Sequence, residues 1–462
     1  MKKFKQHLLY TSVISLLSGS ALANLAVNID PNNLSTAFDP STQLGKKESV
    51  LTGDFGLRTN ELVEDVGEVT GNKYFGDLNL TYKSYNGSSS KTFDMAARVN
   101  DEQQLMYSFK EAKIEFGSQE RKLTLGRQII DWSMVDANWG LGKVNNRVNF
   151  DFFEPGQEGL VGIVFDRKYR SGFNYSAFGS VIYVPESNPS IEINDEEKSL
   201  SCKNPWCSVP DASTEFEGKQ VPIYYTVNYP EIADAIFRYS VGFKIGYDKG
   251  RYAVNGFFMR KPENGISIAA EIVAESDLSA INVEATPQFY YHNIVGGNAE
   301  IRVTEDFKLY GSAISIDPSN VPDGTQPLIE YTGLKPNKKK EDYVSSGMVY
   351  TDGDFKSHLG YIARVSEFDR ENDILVDLPR WNQAVHLALS KRLTRKLFVG
   401  LDYKYDMLTE DRLTMFNTSY SFGPNVIASV GVNIIGTNPE EESFWSQYEN
   451  NDSVYSSLKY NF

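Results

Sequence analysis

Ser453-Val454-Tyr455-Ser456-Ser457-Leu458-Lys459-Tyr460-Asn461-Phe462 alternates along its length. Side chains of an extended strand point to opposite faces in turn. Phe462, Tyr460, Leu458 and Val454 therefore share one face, and Asn461, Lys459, Ser457 and Tyr455 share the other. Only Ser456 interrupts the apolar face. One greasy face, one wet face and a terminal aromatic describe a strand standing between lipid and water.

The same pattern recurs upstream. Leu51, Gly53, Phe55 and Leu57 alternate with polar neighbours, as do Tyr74, Gly76, Leu78, Leu80 and Tyr82, and Phe93, Met95, Ala97 and Val99. A fourth strand is expected over Leu105 to Phe116, where the apolar parity shifts between Phe109 and Ala112 as a β-bulge would shift it. Leu123 and Leu125 open a fifth. Further alternating segments fall near 159–167, 172–184, 236–248, 251–260, 285–304, 306–316, 343–351, 355–366, 381–391, 396–407, 412–422, 425–435 and 453–462. The connections sort by length. Short ones, such as Gln119-Glu120, Asp248-Lys249-Gly250 and Asp352-Gly353-Asp354, have tight-turn compositions. They alternate with long ones at 61–71, 131–157, 185–235, 261–283, 317–342, 367–380 and 436–452. A soluble sandwich has no reason to sort its loops this way.

The C-terminal strand resembles the closing strand of Gram-negative outer-membrane β-barrels, a family whose terminal aromatic belongs to the signal read by the barrel-assembly machinery. The expected fold is all-β: a transmembrane antiparallel up-and-down β-barrel of about eighteen strands over 49–462, with long extracellular loops and short periplasmic turns. The bacterial outer membrane is then the expected location. Its lipid and lipopolysaccharide, the assembly machinery and a small hydrophilic solute are the expected partners, and a homo-oligomer fits the same reading.

Composition agrees. Aromatics reach 13%, with 27 Tyr and 27 Phe, yet mean hydropathy is −0.38. A barrel hides its membrane signal in this way, because only alternate residues are apolar. Met1-Lys2-Lys3-Phe4-Lys5, the apolar stretch Leu8 to Leu17 and Ala21-Leu22-Ala23 read as a signal peptide over 1–23. A polar lead-in follows at 24–48. Losing Lys2, Lys3 and Lys5 takes the net charge from −15 to −18, which argues against nucleic acid as a partner. Cys202 and Cys207 are the only cysteines. In an exported chain they are expected to form a structural disulfide, the alternative being a redox or metal site. Metal needs further ligands, and only His292, His358 and His386 follow the leader, so no metal and no cofactor is expected.

Parity divides wall residues between lipid and lumen. Phe237, Tyr239, Val241, Phe243 and Ile245 facing lipid turn Arg238 and Lys244 inward. Parity likewise sends Arg98, Arg302, Lys308, Lys356, His358, Arg364, His386 and Lys404 inward, with Asp94, Asp166, Glu300, Asp402 and Asp406. The loops hold the excess acid, for example Glu61, Glu64, Asp65, Glu68, Glu192, Asp195, Glu196, Glu197 and Glu440 to Glu442. Basic rungs would attract an anionic solute in a low-dielectric tube. The plainer reading is that a wet lumen needs charges of both signs.

Leu123-Thr124-Leu125-Gly126-Arg127-Gln128 leads into a long segment, 131–157, rich in Asp, Trp and Gly. This stretch is similar to the strand end and following loop of alginate-export-type porins, whose barrels also have eighteen strands. The resemblance covers about forty residues and implies no particular solute. Folded inward, the segment would form a constriction lined by Arg127, Asp131, Asp136 and Arg147. The alternative is an ordinary external loop with Trp132 and Trp139 in the interfacial girdle. Catalysis is not expected. Ser357 and His358 are adjacent and so face opposite ways, and no Gly-x-Ser-x-Gly, His-Glu-x-x-His or phosphate-cradling loop is present. The expected function is passive diffusion of small hydrophilic solutes, with a preference for anions under the basic-rung reading. The alternative is a sealed barrel that anchors adhesive or structural loops.

Overall fold

The computed structural model describes residues 48–63, 72–100, 104–154, 156–194, 199–207, 209–216, 218–274, 279–319, 329–330, 333–334, 338–366 and 378–462. The signal peptide expected at 1–23 and the lead-in at 24–48 lie outside the described residues, Glu48 excepted.

Eighteen antiparallel strands close into one barrel. They are β1 (Glu48–Leu62), β2 (Asn72–Asn86), β3 (Ser89–Asn100), β4 (Leu105–Ser118), β5 (Arg121–Gln128), β6 (Leu160–Lys168), β7 (Phe173–Ser180), β8 (Ser240–Lys249) and β9 (Tyr252–Pro262). The second half comprises β10 (Tyr291–Arg302), β11 (Phe307–Ser319), β12 (Glu341–Asp352), β13 (Phe355–Arg364), β14 (Gln383–Arg392), β15 (Leu397–Asp406), β16 (Arg412–Ser421), β17 (Val426–Gly436) and β18 (Ser453–Asn461). Each strand pairs with its neighbour in the chain, and β18 returns to pair with β1.

That last pairing leaves no open edge, which hydrocarbon does not tolerate. The C-terminal aromatic completes it. Phe462 N–H donates to the Gly53 carbonyl at 3.0 Å, and Gly53 N–H donates back at 3.1 Å. Gly53 must lack a side chain, since a Cβ would stand 2.8 Å from the Phe462 ring and 2.5 Å from the Asn79 carbonyl oxygen.

The two faces separate as alternation requires. On β8, Val241, Phe243, Ile245 and Tyr247 are each 44–46% exposed on the outer surface. Gly242, Lys244 and Gly246 between them are partly covered from inside. On β18 and the residue after it, Val454, Leu458, Tyr460 and Phe462 are likewise exposed, while Tyr455, Ser457 and Lys459 are not.

Short turns at 87–88, 119–120, 169–172, 250–251, 303–306, 353–354, 393–396 and 422–425 gather at one end of the barrel, with both chain ends of the sheet. The long connections gather at the other. The parity shift on β4 is a bulge: Asp94 pairs with Glu111 and Met95 with Phe109, which makes Lys110 the extra residue of β4 in the β3 register.

The segment expected as one strand over 285–304 divides in two. Tyr291–Arg302 is β10, whereas Ile281–Gln288 leaves the barrel for a six-stranded sheet at the loop end. That sheet is built from Ser213–Phe216, Lys219–Val227, Ser267–Ala274, Ile281–Gln288, Ile329–Glu330 and Gly333–Leu334. Lys219–Val227 runs parallel to Ile281–Gln288, a pairing an up-and-down barrel cannot supply. Alternation continues through both pieces, so it does not mark where the chain departs. Cys202 and Cys207 are bonded to each other in the loop-end crown.

The two faces of β8 should tolerate charge unequally. Phe243→Arg places a cation against lipid at mid-strand and should destabilise the barrel by about 2–4 kcal/mol. Lys244→Arg, one residue on, should be near neutral. Urea unfolding of the protein refolded into liposomes measures both.

Candidate functional site

The connection between β5 and β6 turns into the barrel. It leaves β5 through Gly126, which has φ +116°, and a Cβ there would collide with the Ala112 carbonyl. The glycine of the Leu-Gly-Arg-Gln stretch is therefore demanded by backbone geometry. The bulge on β4 takes part: the Lys110 carbonyl accepts from Gly159 N–H at 3.0 Å, where the segment returns to the wall. Asn145 closes the loop on itself, accepting from Ile130 N–H and donating to the Ile130 carbonyl.

Inside lies a short helix, α1 (Met134–Trp139), capped by the Ser133 hydroxyl and ended by Gly140 in the left-handed conformation. The far wall holds it. Met134 N–H donates to Asn298 Oδ1 on β10 at 2.8 Å, and Val135 N–H to Ser312 Oγ on β11 at 3.1 Å. Trp139 Nε1 donates to Ser345 Oγ on β12 at 3.0 Å. Lys143 Nζ meets Glu341 on the same strand at 2.6 Å. Ile130, Trp132, Val135, Trp139, Leu141 and Val144 pack with wall residues such as Met259, Ile294, Ile314 and Ile362 into one buried cluster. Trp132 and Trp139 are thus buried within the barrel, not set in an interfacial girdle.

Past the helix the segment reaches the opposite wall. Glu154 accepts from Arg58 on β1 at 2.6 Å and from Arg98 on β3 at 3.0 Å. Arg98 also donates to Asp77 on β2 at 2.6 Å, and Asp151 lies 3.8–3.9 Å from both guanidinium groups. Burial alone would raise the Glu154 carboxyl, but the two arginines override it and hold it below the usual glutamate range. Asp151 goes the other way: burial, and then the charge of Glu154, raise it despite the arginines. Glu154 takes the direct bonds, so Asp151 is the first of the pair to accept a proton.

Two of the spaces beside the segment have Gly156 in their lining. The larger, a cavity of about 220 Å³, is bordered by Arg58, Arg98, Asp77, Asp151, Glu154 and Lys459, with Asn, Ser and Tyr between the charges. The smaller, about 40 Å³, contains Arg147, Arg380, Lys404 and Gln157 among tryptophans. Above them the disulfide loop drives Trp206 against Phe152 and Phe153, with ring centroids 5.1 and 5.0 Å apart.

The candidate residues are spread over several positions. Arg98 lines the larger cavity, and Arg147 and Lys404 the smaller. Arg127 lies in the wall, 5% exposed, against Glu158 at 2.6 Å. Asp136 is buried and accepts from Lys143 and Val144 N–H, fixing the turn after α1. Asp131 is exposed. Arg238 lies over the Phe289 ring and Lys244 over the Trp132 ring, 4.1 and 6.0 Å from their centroids. Arg302 and Lys308 sit near the turn end around Glu300. Arg364 donates to Ser366 Oγ.

Alternation turns Arg58 inward, opposite Leu57, but could not reveal Glu154 or Arg380 as site residues. Arg58 alone falls in a strand, and its partners lie in an irregular segment. His386 Nε2 and Asp402 Oδ2 are 2.9 Å apart, and His358 shares a hydrogen bond with Tyr310. Ser390 Oγ has no hydrogen-bond partner, so no serine–histidine pair forms there.

No protein-family model matches the chain, and no curated protein matches it in sequence. Its structure resembles solved outer-membrane barrels. It is similar to OccK11 (OpdR) of Pseudomonas aeruginosa, with TM-score 0.45, 8% identity, and 90% of this chain covering 96% of that one. OccAB3 of Acinetobacter baumannii gives TM-score 0.45 and 9% identity, with 90% and 99% covered. An anion-selective porin from Comamonas acidovorans gives TM-score 0.40 and 9% identity, with 90% and 100% covered.

Acidification should act on the larger cavity through Asp151. Its raised carboxyl takes up a proton at a higher pH than an ordinary aspartate, removing one negative charge beside Arg58 and Arg98. Ion preference, read as reversal potential in a salt gradient, should move toward anions as pH falls from neutral. Asp151→Asn should show that shift already at pH 7 and lose most of the pH response.

Proposed function

We propose that the chain is an outer-membrane porin passing small hydrophilic solutes by diffusion. The observation that carries this reading is a closed barrel with an apolar outer belt, whose interior keeps a charged, polar cavity beside a fixed inward segment. Eighteen strands enclose more width than wall side chains can fill. The segment from β5 narrows that width, and the Arg58–Glu154–Arg98 bridge anchors it where the cavity begins. Transport on this reading needs no covalent chemistry, since wall groups take over part of the solute's hydration shell.

The same proposal covers the chain's course. Residues 1–23 would direct export and be removed. β18 would be read by the barrel-assembly machinery, and the belt would meet lipid and lipopolysaccharide. The turn end would face the periplasm and the loop end the exterior. A second reading is favoured by one observation, the six-stranded sheet carried on the loops. On that view the barrel chiefly anchors an external platform.

Single-channel recording in planar bilayers distinguishes the two. The porin reading expects stepwise current from the purified full-length chain. A barrel that inserts yet carries no current would leave only the anchoring role.

A further inference from the structure

The small space between the inward segment and β15–β16 holds an unusual imbalance. Arg147, Arg380 and Lys404 line it, and among the described residues no carboxylate does. Arg147 and Lys404 have acidic neighbours elsewhere, Glu186 at 3.4 Å and Asp402 at 3.3 Å. Arg380 has none. It is 8% exposed, and its guanidinium lies over the Phe152, Phe444 and Trp445 rings at 4.8, 4.9 and 5.8 Å. One nitrogen donates to the Gly140 carbonyl at 3.3 Å, while Nε and Nη2 find no hydrogen-bond partner.

An arginine stays protonated in a protein. Ring faces offset part of its desolvation, but they leave two donors of the fork unused. Burial, and next the like charge of Arg147, work against this buried cation. An anion in the pocket would answer each deficit at once. The space, about 40 Å³, is roughly three times the ~10–15 Å³ that one water needs, which suits a group of a few heavy atoms. Gln157 and Asn138 add neutral polar groups to its lining.

We propose that this pocket binds a small oxyanion, a carboxylate or phosphate group, held by the Arg380 guanidinium with Arg147 and Lys404 beside it. The inference rests on the porin reading in one respect: Gly156 borders both spaces, so the bound group would sit next to the diffusion path. A solute bearing such a group would then pause at the constriction.

Trp139, Trp381 and Trp445 line the pocket and supply a readout independent of transport. The full-length protein in detergent is titrated with inorganic phosphate and, separately, with acetate, at constant ionic strength set by chloride. Intrinsic fluorescence should change saturably with at least one of them and not with chloride. The tighter of the two identifies the class of group. Arg380→Met keeps the stem against its aromatic neighbours and should weaken binding by about tenfold or more, as loss of a charge-assisted fork implies. Circular dichroism melting checks that the variant folds. If it does not, Arg147→Gln and Lys404→Gln take its place and should each weaken binding several-fold. No saturable change in the wild type, or equal binding by a folded Arg380→Met, overturns the proposal. Binding by a barrel that carries no current would refute the porin reading and leave the site standing. Current without binding would do the reverse.

Discussion

Hydrocarbon offers no hydrogen bonds, so every backbone N–H and C=O crossing it needs a partner within the protein. The rest of the structure depends on that demand. A sheet meets it only by closing, and this one closes by pairing β18 with β1 down to the last residue, where Phe462 and Gly53 exchange two bonds. Closure in turn forces every strand to present one row of side chains to lipid and one to the interior. The wet interior is a consequence of the same demand that makes the exterior greasy.

A barrel this wide cannot fill itself from its walls. The chain fills part of the space with the stretch between β5 and β6. That stretch combines two kinds of bond suited to its two sides. Against β9–β13 it buries tryptophan and aliphatic side chains, and wall Asn and Ser groups satisfy its backbone donors. Against β1–β3 it uses ion pairs, Glu154 spanning Arg58 and Arg98. One side is dry and tightly packed, and the other stays open. The open side is where charges of both signs meet a cavity, and beside it Arg380 sits with no ion pair among the described residues.

Much of the barrel was legible in the sequence, because a strand with one face in lipid has a period no other environment imposes. All eighteen strands fall near alternating segments, and the bulge on β4 shows as a parity slip between Phe109 and Ala112. Legibility failed where alternation continued without the membrane, as at Ile281–Gln288, which reads like wall yet belongs to the loop-end sheet. It failed more fully at the site. Parity turns Lys404 inward but says nothing about an irregular segment, and Glu154, Asp151 and Arg380 take their meaning from partners on distant strands or from rings in other loops. Gly126 and Asp136 stood out in the sequence as a distinctive motif. Their roles are a left-handed backbone position and an acceptor for two turn amides.

A closed cylinder keeps lipid outside and water within, and β18 lets that be tested one residue at a time. The native cysteines are bonded to each other, so a single introduced cysteine reports alone. Cysteines at positions 454 through 460, in protein refolded into liposomes, are challenged with a small water-soluble thiol reagent and, separately, a lipid-borne one. Positions 455, 457 and 459 should react from water, and 454, 458 and 460 from lipid. Uniform reaction with the water-soluble reagent along the strand would contradict the account.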